Sequence, residues 1–349
     1  MRKLFFVFLL LMLGMSELVT AQDPQFSQFY AAPLYLNPAF AGATQRTRVG
    51  MNYRNQWPAL DANFVTSSAY VDHYVEEINS GVGALLMYDR LGLGGVRTWS
   101  LGLQYAYELY FTPNLAFRPG VQLGIYNNGI DGSGLLFRNQ IGDDGSILPV
   151  PGENIGSGST TFFDLSLGGV LYSGTSWLGV AVHHLTEPNQ SVVTNDGDPL
   201  PRKLSIHGGH KIHFRPGTIG TGTLSRPQER SITPTFQYKA QGEFDQLDVG
   251  LYLTLEPIVL GTWYRGLPFK QFENFANNES LILLVGFTQK GIVNNDESLL
   301  NIGYSYDFTI SELGSASGGA HEFTLSYVWS TRNPRKPPRD KMSIPCPNF

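Results

Sequence analysis

The chain has 349 residues, of which 15% are charged and 13% are aromatic, and it contains 39 glycines. Its net charge of −5 and its scattered Lys and Arg residues argue against nucleic acid as the main partner. A single cysteine, Cys346, excludes an internal disulfide framework and a zinc site built on paired thiolates.

Residues 1–21 have the pattern of a secretory signal peptide. Two basic residues precede an apolar run over residues 4–15, and small or modest side chains lead to a cleavage position after Ala21. The run is shorter than the roughly 20 apolar residues that a membrane-spanning helix needs, so an uncleaved anchor helix is kept only as the alternative. No cysteine follows the cleavage position, which argues against a lipid anchor. We therefore expect an exported protein.

Residues 22–44 form a separate segment in front of the first predicted strand. They are rich in apolar and aromatic side chains but follow neither a helical nor a strand period, and they are too apolar for a free tail. Within them, the dipeptide Asn37-Pro38 predicts a turn, because proline disfavours a helical conformation of the residue before it. Gly42 allows the chain to turn sharply into the first strand.

Between residues 45 and 332 the chain repeats one pattern, in which apolar residues alternate with small or polar ones. In the clearest run, Val96–Phe111, the odd positions include Trp99 and Leu103, and the even positions include Ser100 and Gln104. Successive side chains of a strand point to opposite faces, so the run predicts a strand with one apolar and one polar face. Fourteen runs show this pattern: 45–57, 61–75, 79–90, 95–111, 113–128, 160–174, 175–186, 201–215, 229–240, 243–256, 257–268, 278–292, 297–311 and 319–332.

The alternating runs predict an all-β protein, a transmembrane antiparallel β-barrel of about 14 strands over residues 45–332. Aromatic residues recur at the ends of the apolar face, which is typical of the girdles of outer-membrane barrels. Backbone amides in lipid must all be paired, so the sheet must close on itself. A soluble sandwich or propeller is the alternative, but its outer face would carry more charge. We therefore expect the protein to lie in the outer membrane of a Gram-negative bacterium, where membrane lipid surrounds the barrel.

The two ends of the chain are predicted to lie at the periplasmic side, as in barrels with an even number of strands. A barrel of 14 strands is too wide for its own side chains to fill, so residues 22–44 could fold into the lumen as a partial plug. A periplasmic cap or an additional contact at a strand edge is the alternative. Residues 333–349 are predicted to be a basic, Pro-rich, extended and solvated periplasmic tail. Its positive charges could contact a periplasmic partner, and the residues concerned are Arg332, Arg335, Lys336, Arg339 and Lys341.

Catalytic and metal-binding motifs are weak throughout the sequence. The spacing of His207, His210 and His213 suggests a metal site, but on a strand His210 points away from the other two, so the three cannot converge. The sequence contains no nucleophile elbow, zinc-protease motif or phosphate-binding loop. We predict no catalytic residue, no metal and no cofactor. A passive porin or small-solute channel is the alternative to an interaction barrel.

Several local motifs resemble the PorP/SprF family. At the N-terminal end these are Gln25–Tyr30, Asn37–Gly42 and Tyr53–Pro58, and near the C-terminal end they are His321–Tyr327 and the final residues 346–349. The resemblance implies an outer-membrane barrel of the type IX secretion system. It also implies a role in secreting or attaching large surface proteins, including gliding adhesins, that carry a C-terminal sorting domain. Periplasmic ring components of the system are the further partners that it implies.

The motif residues are candidates for contacts with a plug or with a client protein. They are Phe26, Asn37, Pro38, Gly42, Tyr53, Arg54, Gln56 and Trp57. Arg54 and Gln56 alternate with Tyr53 and Trp57, so if Trp57 lies in the outer girdle, Arg54 faces the lumen. It could then form an ion pair with an acid such as Glu108, Asp248 or Glu256.

Overall fold

A computed structural model gives the fold of most of the chain. It describes residues 23–61, 63–92, 95–130, 140–141, 146, 158–192, 197–214, 217–219, 226–272, 275–291, 298–310, 314–330 and 342–347. The predicted signal peptide, Arg332 and four basic residues of the predicted tail (Arg335, Lys336, Arg339 and Lys341) lie outside the described residues.

Fourteen antiparallel strands form the body of the molecule, and two of them, β4 and β8, are interrupted at a single residue. The strands are β1 Thr47–Gln56, β2 Phe64–Val75, β3 Ser80–Leu91, β4 Val96–Tyr107 with Leu109–Thr112, β5 Leu115–Ile130, β6 Gly158–Tyr172, β7 Ser176–His183, β8 Lys203–His210 with Ile212–His213, β9 Arg230–Gln241, β10 Phe244–Leu255, β11 Ile258–Phe272, β12 Phe275–Lys290, β13 Leu299–Thr309 and β14 Ala320–Trp329. A short hairpin, Gly217–Ile219 with Arg226–Gln228, lies between β8 and β9.

The sheet closes because the first strand pairs with the last. Tyr53 of β1 is opposite Ser67 of β2 on one side and Phe323 of β14 on the other. Each remaining strand pairs with its neighbours in sequence, so the barrel has no free edge. The predicted fourteen-stranded antiparallel barrel is confirmed, and each predicted run contains an observed strand or most of one.

The two faces of the strands differ as the alternation predicts. Along β4, Leu101 and Leu103 are 38% and 59% exposed on the outer face, whereas Gln104 and Ala106 are buried on the inner face. The outer surface is therefore a band of exposed apolar side chains suited to lipid, and the polar side chains face inward. Among the described residues, no helix has the length and the apolar character that a bilayer crossing requires.

The two ends of the barrel are named here by the chain termini. The terminal end carries Thr47 and Trp329, and its connections include the short segments 113–114 and 173–175. Connections alternate between the two ends along the chain, and those at the distal end include 57–63 and 184–202. Since outer-membrane barrels have short periplasmic turns, we expect the terminal end to face the periplasm.

Three short helical turns precede β1. They are Phe29–Ala31, Pro33–Leu36 and Pro38–Phe40. Pro33 and Pro38 each stand at the start of a helical turn. The N–H of a residue at this position has no acceptor within the helix, so proline, which lacks an N–H, loses no hydrogen bond, and its fixed φ suits the helix. Almost all residues of these turns are buried. A segment of this composition would otherwise expose several aromatic rings to water.

The end of the chain differs from the predicted solvated tail. Ile344 and Cys346 are buried, and they belong to the same apolar cluster as Tyr30 and Tyr252. Gln45 donates a hydrogen bond from Nε2 to the backbone carbonyl of Met342 at 3.0 Å. The prediction of an extended, solvated tail is therefore wrong for residues 344–347. Burial raises the pKa of the Cys346 thiol to about 11, so the thiol is protonated at neutral pH.

Candidate functional site

Residues 23–44, called the N-terminal segment below, contact the buried polar face of the strands. The side chains of Phe26, Leu34 and Phe40 are at most 3% exposed. Part of the contact is aromatic: Trp177 donates a hydrogen bond from Nε1 to Oη of Tyr30 at 2.8 Å, and the two rings meet edge to face. Burial of these rings provides the apolar part of the attachment.

Ser27 lies at the centre of a buried cluster of charges. Its Oγ accepts hydrogen bonds from Arg54 Nη1 at 2.6 Å and from Arg265 Nη2 at 3.0 Å, and it donates one to Asp307 Oδ2 at 2.6 Å. The backbone N–H groups of Ser27 and Gln28 donate to the two carboxylate oxygens of Glu322 at 2.7 and 2.9 Å. We call Ser27, Arg54, Arg265, Asp248, Asp307 and Glu322 the Ser27 cluster.

Ion pairs connect the strand residues of the Ser27 cluster. Arg54 lies 2.9 Å from Asp307 and 3.3 Å from Glu322, and Arg265 lies 2.6 Å from Asp248 and 3.2 Å from Asp307. These charges are almost fully buried, so each depends on its partners for the interactions that water would otherwise provide.

The predicted partners of Arg54 are wrong. Arg54 pairs with Asp307 and Glu322, whose strands β13 and β14 come last in the chain. The three acids named from the sequence have other partners, because register and closure set which inward charges meet. Asp248 pairs with Arg265, Glu108 with Arg118, and Glu256 with Lys290.

A second buried arginine, Arg118, contacts the C-terminal part of the N-terminal segment. Arg118 donates from Nε to the carbonyl of Ala39 at 3.2 Å and from Nη2 to the carbonyl of Ala41 at 2.5 Å. Glu108 accepts from Nη1 of the same arginine at 3.0 Å and also accepts a hydrogen bond from Tyr74. The guanidinium therefore binds backbone carbonyls while its charge is compensated by Glu108.

A row of small residues lets the N-terminal segment approach the wall closely. Gly81, Ala106, Gly120 and Gly168 are opposite one another on the neighbouring strands β3 to β6. A Cβ atom would lie 2.4 Å from the backbone nitrogen of Ala39 at Gly120, and 2.0 Å from Oδ1 of Asn37 at Gly168. We call these four residues the glycine shelf, and any larger side chain there would occupy the space of the segment.

Asn37 and Pro38 sit on this shelf. Oδ1 of Asn37 accepts from the backbone N–H of Ala39 at 2.9 Å, which caps the turn that begins at Pro38. Nδ2 of Asn37 donates to the carbonyl of Val180 at 3.1 Å and lies 3.2 Å from Nε2 of His207. The asparagine therefore joins the segment to β7 and β8.

The histidines of β8 do not form a metal site. His207 is fully buried against the N-terminal segment, whereas His210 and His213 are exposed. Within the part of the chain that the structure describes, no three His, Cys, Asp or Glu side chains are grouped so that they could hold a metal ion.

Gly42 makes the turn from the segment into β1. Its φ of +68° lies in the left-handed region, and its N–H donates to Oδ2 of Asp72 at 2.8 Å. Asp72 is in turn paired with Arg48 at 2.8 Å.

The remaining motif residues do not meet at one place. Phe26 packs edge to face on Tyr35, with ring centroids 5.5 Å apart. Tyr53 is 44% exposed on the lipid-facing side, and Gln56 accepts a hydrogen bond from Arg54. Trp57 lies at the distal end of β1 and packs on Phe64.

The first described residue of the segment, Asp23, is anchored near the distal end. Its Oδ2 is 2.5 Å from Nζ of Lys203 and 2.9 Å from Nε2 of His184, and Nδ1 of His184 is 2.9 Å from Asp164. Burial opposes the charge on Asp23, but His184 and Lys203 outweigh it and hold the pKa of Asp23 well below its usual range. Burial likewise opposes the charge on His184, but Asp23 and Asp164 raise the pKa of His184 to about 9.

We expect the contribution of His184 to stability to decline as the pH rises through about 9. An unfolded histidine titrates near 6.5, so a raised pKa in the folded state stabilises fully below that value, and the gain is lost progressively up to the folded pKa. The measurement is the free energy of unfolding in urea, from about pH 6 to about pH 10.5, for the wild-type barrel and for His184→Gln. The difference between the two proteins should shrink over this range. A difference that stays constant would contradict the assignment.

Several site residues were not found from the sequence. Arg118, Arg265 and Glu322 are single charges on inward positions, where charges are common in barrels. The sequence gives little to distinguish them, because only 15% of the chain is charged but more than half of these charges lie within the alternating runs. The glycines of the shelf occupy polar-face positions and are indistinguishable there from other small residues.

Comparison with protein families identifies one that matches most of the chain. The family model described as type IX secretion system membrane protein PorP/SprF matches residues 18–327. No curated protein sequence matches the chain.

Among solved structures, the chain is similar to a FadL homologue of Pseudomonas aeruginosa, with 13% identity, a TM-score of 0.46, and coverage of 85% of this chain and 93% of that chain. It is similar to Omp33 of Acinetobacter baumannii, with 8% identity, a TM-score of 0.38, and coverage of 82% and 98%. The toluene transporter TodX of Pseudomonas putida has 11% identity, a TM-score of 0.42, and coverage of 88% and 94%. Because the family model spans most of the sequence, the chain belongs to the PorP/SprF family of type IX secretion system membrane proteins and lies in the outer membrane.

Proposed function

We propose that the protein is a non-enzymatic barrel that is needed for secretion or cell-surface attachment of a large, adhesin-like client protein. The client is engaged through its C-terminal sorting domain, and gliding motility is one process that such an adhesin would serve. In this proposal the N-terminal segment is a plug inside the lumen, so the barrel holds or passes a protein rather than providing a permanently open pore.

The observation that carries the proposal is the way the N-terminal segment is attached. It is held by the Ser27 cluster, by Arg118 and by Asp23, and its backbone packs on the glycine shelf. A diffusion channel needs a wide and wet path, whereas these contacts are buried. The attachment therefore favours an interaction barrel over the alternative of a passive porin or small-solute channel.

The proposed partners follow from the surfaces of the barrel. Lipid would contact the apolar outer band. Periplasmic components of the type IX ring would meet the terminal end, where residues 333–349 supply the basic side chains Arg335, Lys336, Arg339 and Lys341, next to Arg332. Signal-peptide removal after Ala21 would precede insertion. The proposal requires no cofactor.

The test is a mild-detergent pull-down of the full tagged protein from its native membrane, followed by mass spectrometry. We expect a large surface protein with a C-terminal sorting domain to co-purify. The same preparation should remain silent in a planar bilayer. Purification of the barrel alone, as a steadily conducting species, would support the porin and contradict the proposal.

A further inference from the structure

Two neighbouring cavities lie between the N-terminal segment and the distal end of the barrel. Their volumes are about 120 and 330 Å³, and they share Asp23, Pro24, Asp89 and Leu91 in their walls. We treat them as one space, the distal vestibule. It is much larger than the 10–15 Å³ that a single water needs on the same kind of measure.

Asp89 lies in the wall of both cavities and is only 4% exposed. Its Oδ1 accepts a hydrogen bond from Oγ1 of Thr66 at 2.5 Å. Asp23, which is also an acid, lies in the walls of the same two cavities. A buried carboxylate without a positive partner is costly, so this arrangement invites a cation.

The other buried acids of the described chain show how unusual Asp89 is. Each of them contacts an arginine or a histidine: Asp72 with Arg48, Glu108 with Arg118, Asp164 with His184, Asp248 with Arg265, Asp307 with Arg54 and Arg265, and Glu322 with Arg54. Three cations of the described chain lie in the walls of the vestibule: Asp23 engages Lys203 and His184, and Asp307 and Glu322 engage Arg54. Asp89 therefore has no internal counter-ion in the described part of the barrel.

Two further polar atoms of the vestibule wall are also unpartnered. Nε2 of His183, a residue that is 4% exposed, has no hydrogen-bond partner, and neither has Oδ1 of Asn128. The ring of His183 stacks on that of Tyr35, with centroids 6.5 Å apart, and its Nε2 remains available to a ligand. A carboxylate and an amide oxygen are both acceptors, so the group that satisfies them is a donor of several hydrogen bonds.

Apolar side chains complete the wall beside these acceptors. Leu85 and Met87 lie on the same strand as Asp89, and Phe162 and Tyr126 stack face to face with centroids 5.4 Å apart. An aliphatic chain would bury apolar surface here while its charged end reached Asp89.

We propose that the distal vestibule binds a primary ammonium or guanidinium group on an aliphatic stem, with Asp89 as its counter-ion. Lysine and arginine side chains of a peptide have this chemistry, and so do small alkyl amines. The inference stands independently of the proposed client role, because it rests on the lining of the vestibule alone.

The test compares ligands of equal shape by titration calorimetry on the full barrel in nonionic detergent. The probes are n-pentylammonium against n-pentanol, and acetyl-Gly-Lys-Gly-amide against acetyl-Gly-Gln-Gly-amide. We expect saturable binding of at least one cation, about tenfold or more tighter than its neutral counterpart. Binding of the peptide identifies a side chain as the natural ligand, and binding of pentylammonium alone identifies a small amine. Equal binding of the charged and the neutral probes to the wild-type barrel would overturn the proposal.

Asp89→Asn provides the second arm, since asparagine keeps the shape and loses the charge. We expect it to remove the preference for the cation, whereas Asp61→Asn, a change at an exposed carboxylate of the distal end, should leave the preference intact. Both variants are first checked for the heat-dependent gel shift of a folded barrel. An unchanged preference in folded Asp89→Asn would overturn the role of Asp89.

Discussion

Glu322→Ala is expected to lower the free energy of unfolding by about 3–5 kcal/mol, as for the loss of one partner of a buried ion pair. The change removes the acceptor of two backbone N–H groups, those of Ser27 and Gln28, and one of the two carboxylates that contact Arg54. All of these groups are buried, so water cannot replace the lost contacts without opening the segment.

The measurement is urea unfolding of the refolded barrel in lipid vesicles, followed by tryptophan fluorescence and circular dichroism. Glu322→Gln should lose less, because its amide oxygen can still accept one hydrogen bond. Glu243→Ala is the control, since Glu243 is exposed in the turn between β9 and β10 and should change stability by about 0.5 kcal/mol or less. A similar small change in Glu322→Ala would show that the segment is not held by this cluster.

Gly120→Ala combined with Gly168→Ala is expected to displace residues 37–41 from the glycine shelf. A Cβ at these positions would lie 2.4 and 2.0 Å from atoms of Ala39 and Asn37, closer than any real contact. Overpacking of this kind costs about 1–3 kcal/mol at each site. At Gly120 the clash is with the backbone of Ala39, so the segment must move to relieve it, because the strands are fixed by their ladders. The outer face of the barrel is untouched.

Displacement is measured by chymotrypsin cleavage after the aromatic residues of the N-terminal segment and by single-channel conductance. Both should increase in the double variant. Gly129→Ala is a matched control on the same strand as Gly120, because a Cβ there meets no atom closer than 3.8 Å. If the double variant resists cleavage and stays silent while it is folded, the close approach of the segment to the shelf is not what holds it.

The sequence was a good guide to the strands because the bilayer imposes a simple rule on each residue. Every second side chain must be apolar to face lipid, so the alternation in a run such as Val96–Phe111 predicts which side chains face outward. The observed faces of β4 agree with that prediction. Turn residues between the runs then set the number of strands. No knowledge of distant residues was needed for either step.

The contacts of the candidate site, in contrast, depend on residues that are far apart in the sequence. Arg54 and Glu322 are separated by 268 positions, and they meet only because closure places β1 beside β14. The burial of Ile344 was not predicted, because the basic, Pro-rich composition around it predicts solvent exposure. Asp89 looked like any polar residue on an inner face, and it is distinguished only because no ion pair to it occurs among the described residues.

The sequence by itself determined the class of protein, the fourteen strands, which face of each meets lipid, and the family motifs, since these depend on local alternation and composition. The tertiary structure decided which buried charges pair, how closely the N-terminal segment packs on Gly120 and Gly168, and which carboxylate is left without a partner. The physical reason is that pairing in a closed sheet depends on register around the whole circumference, and no single stretch of the chain encodes that register.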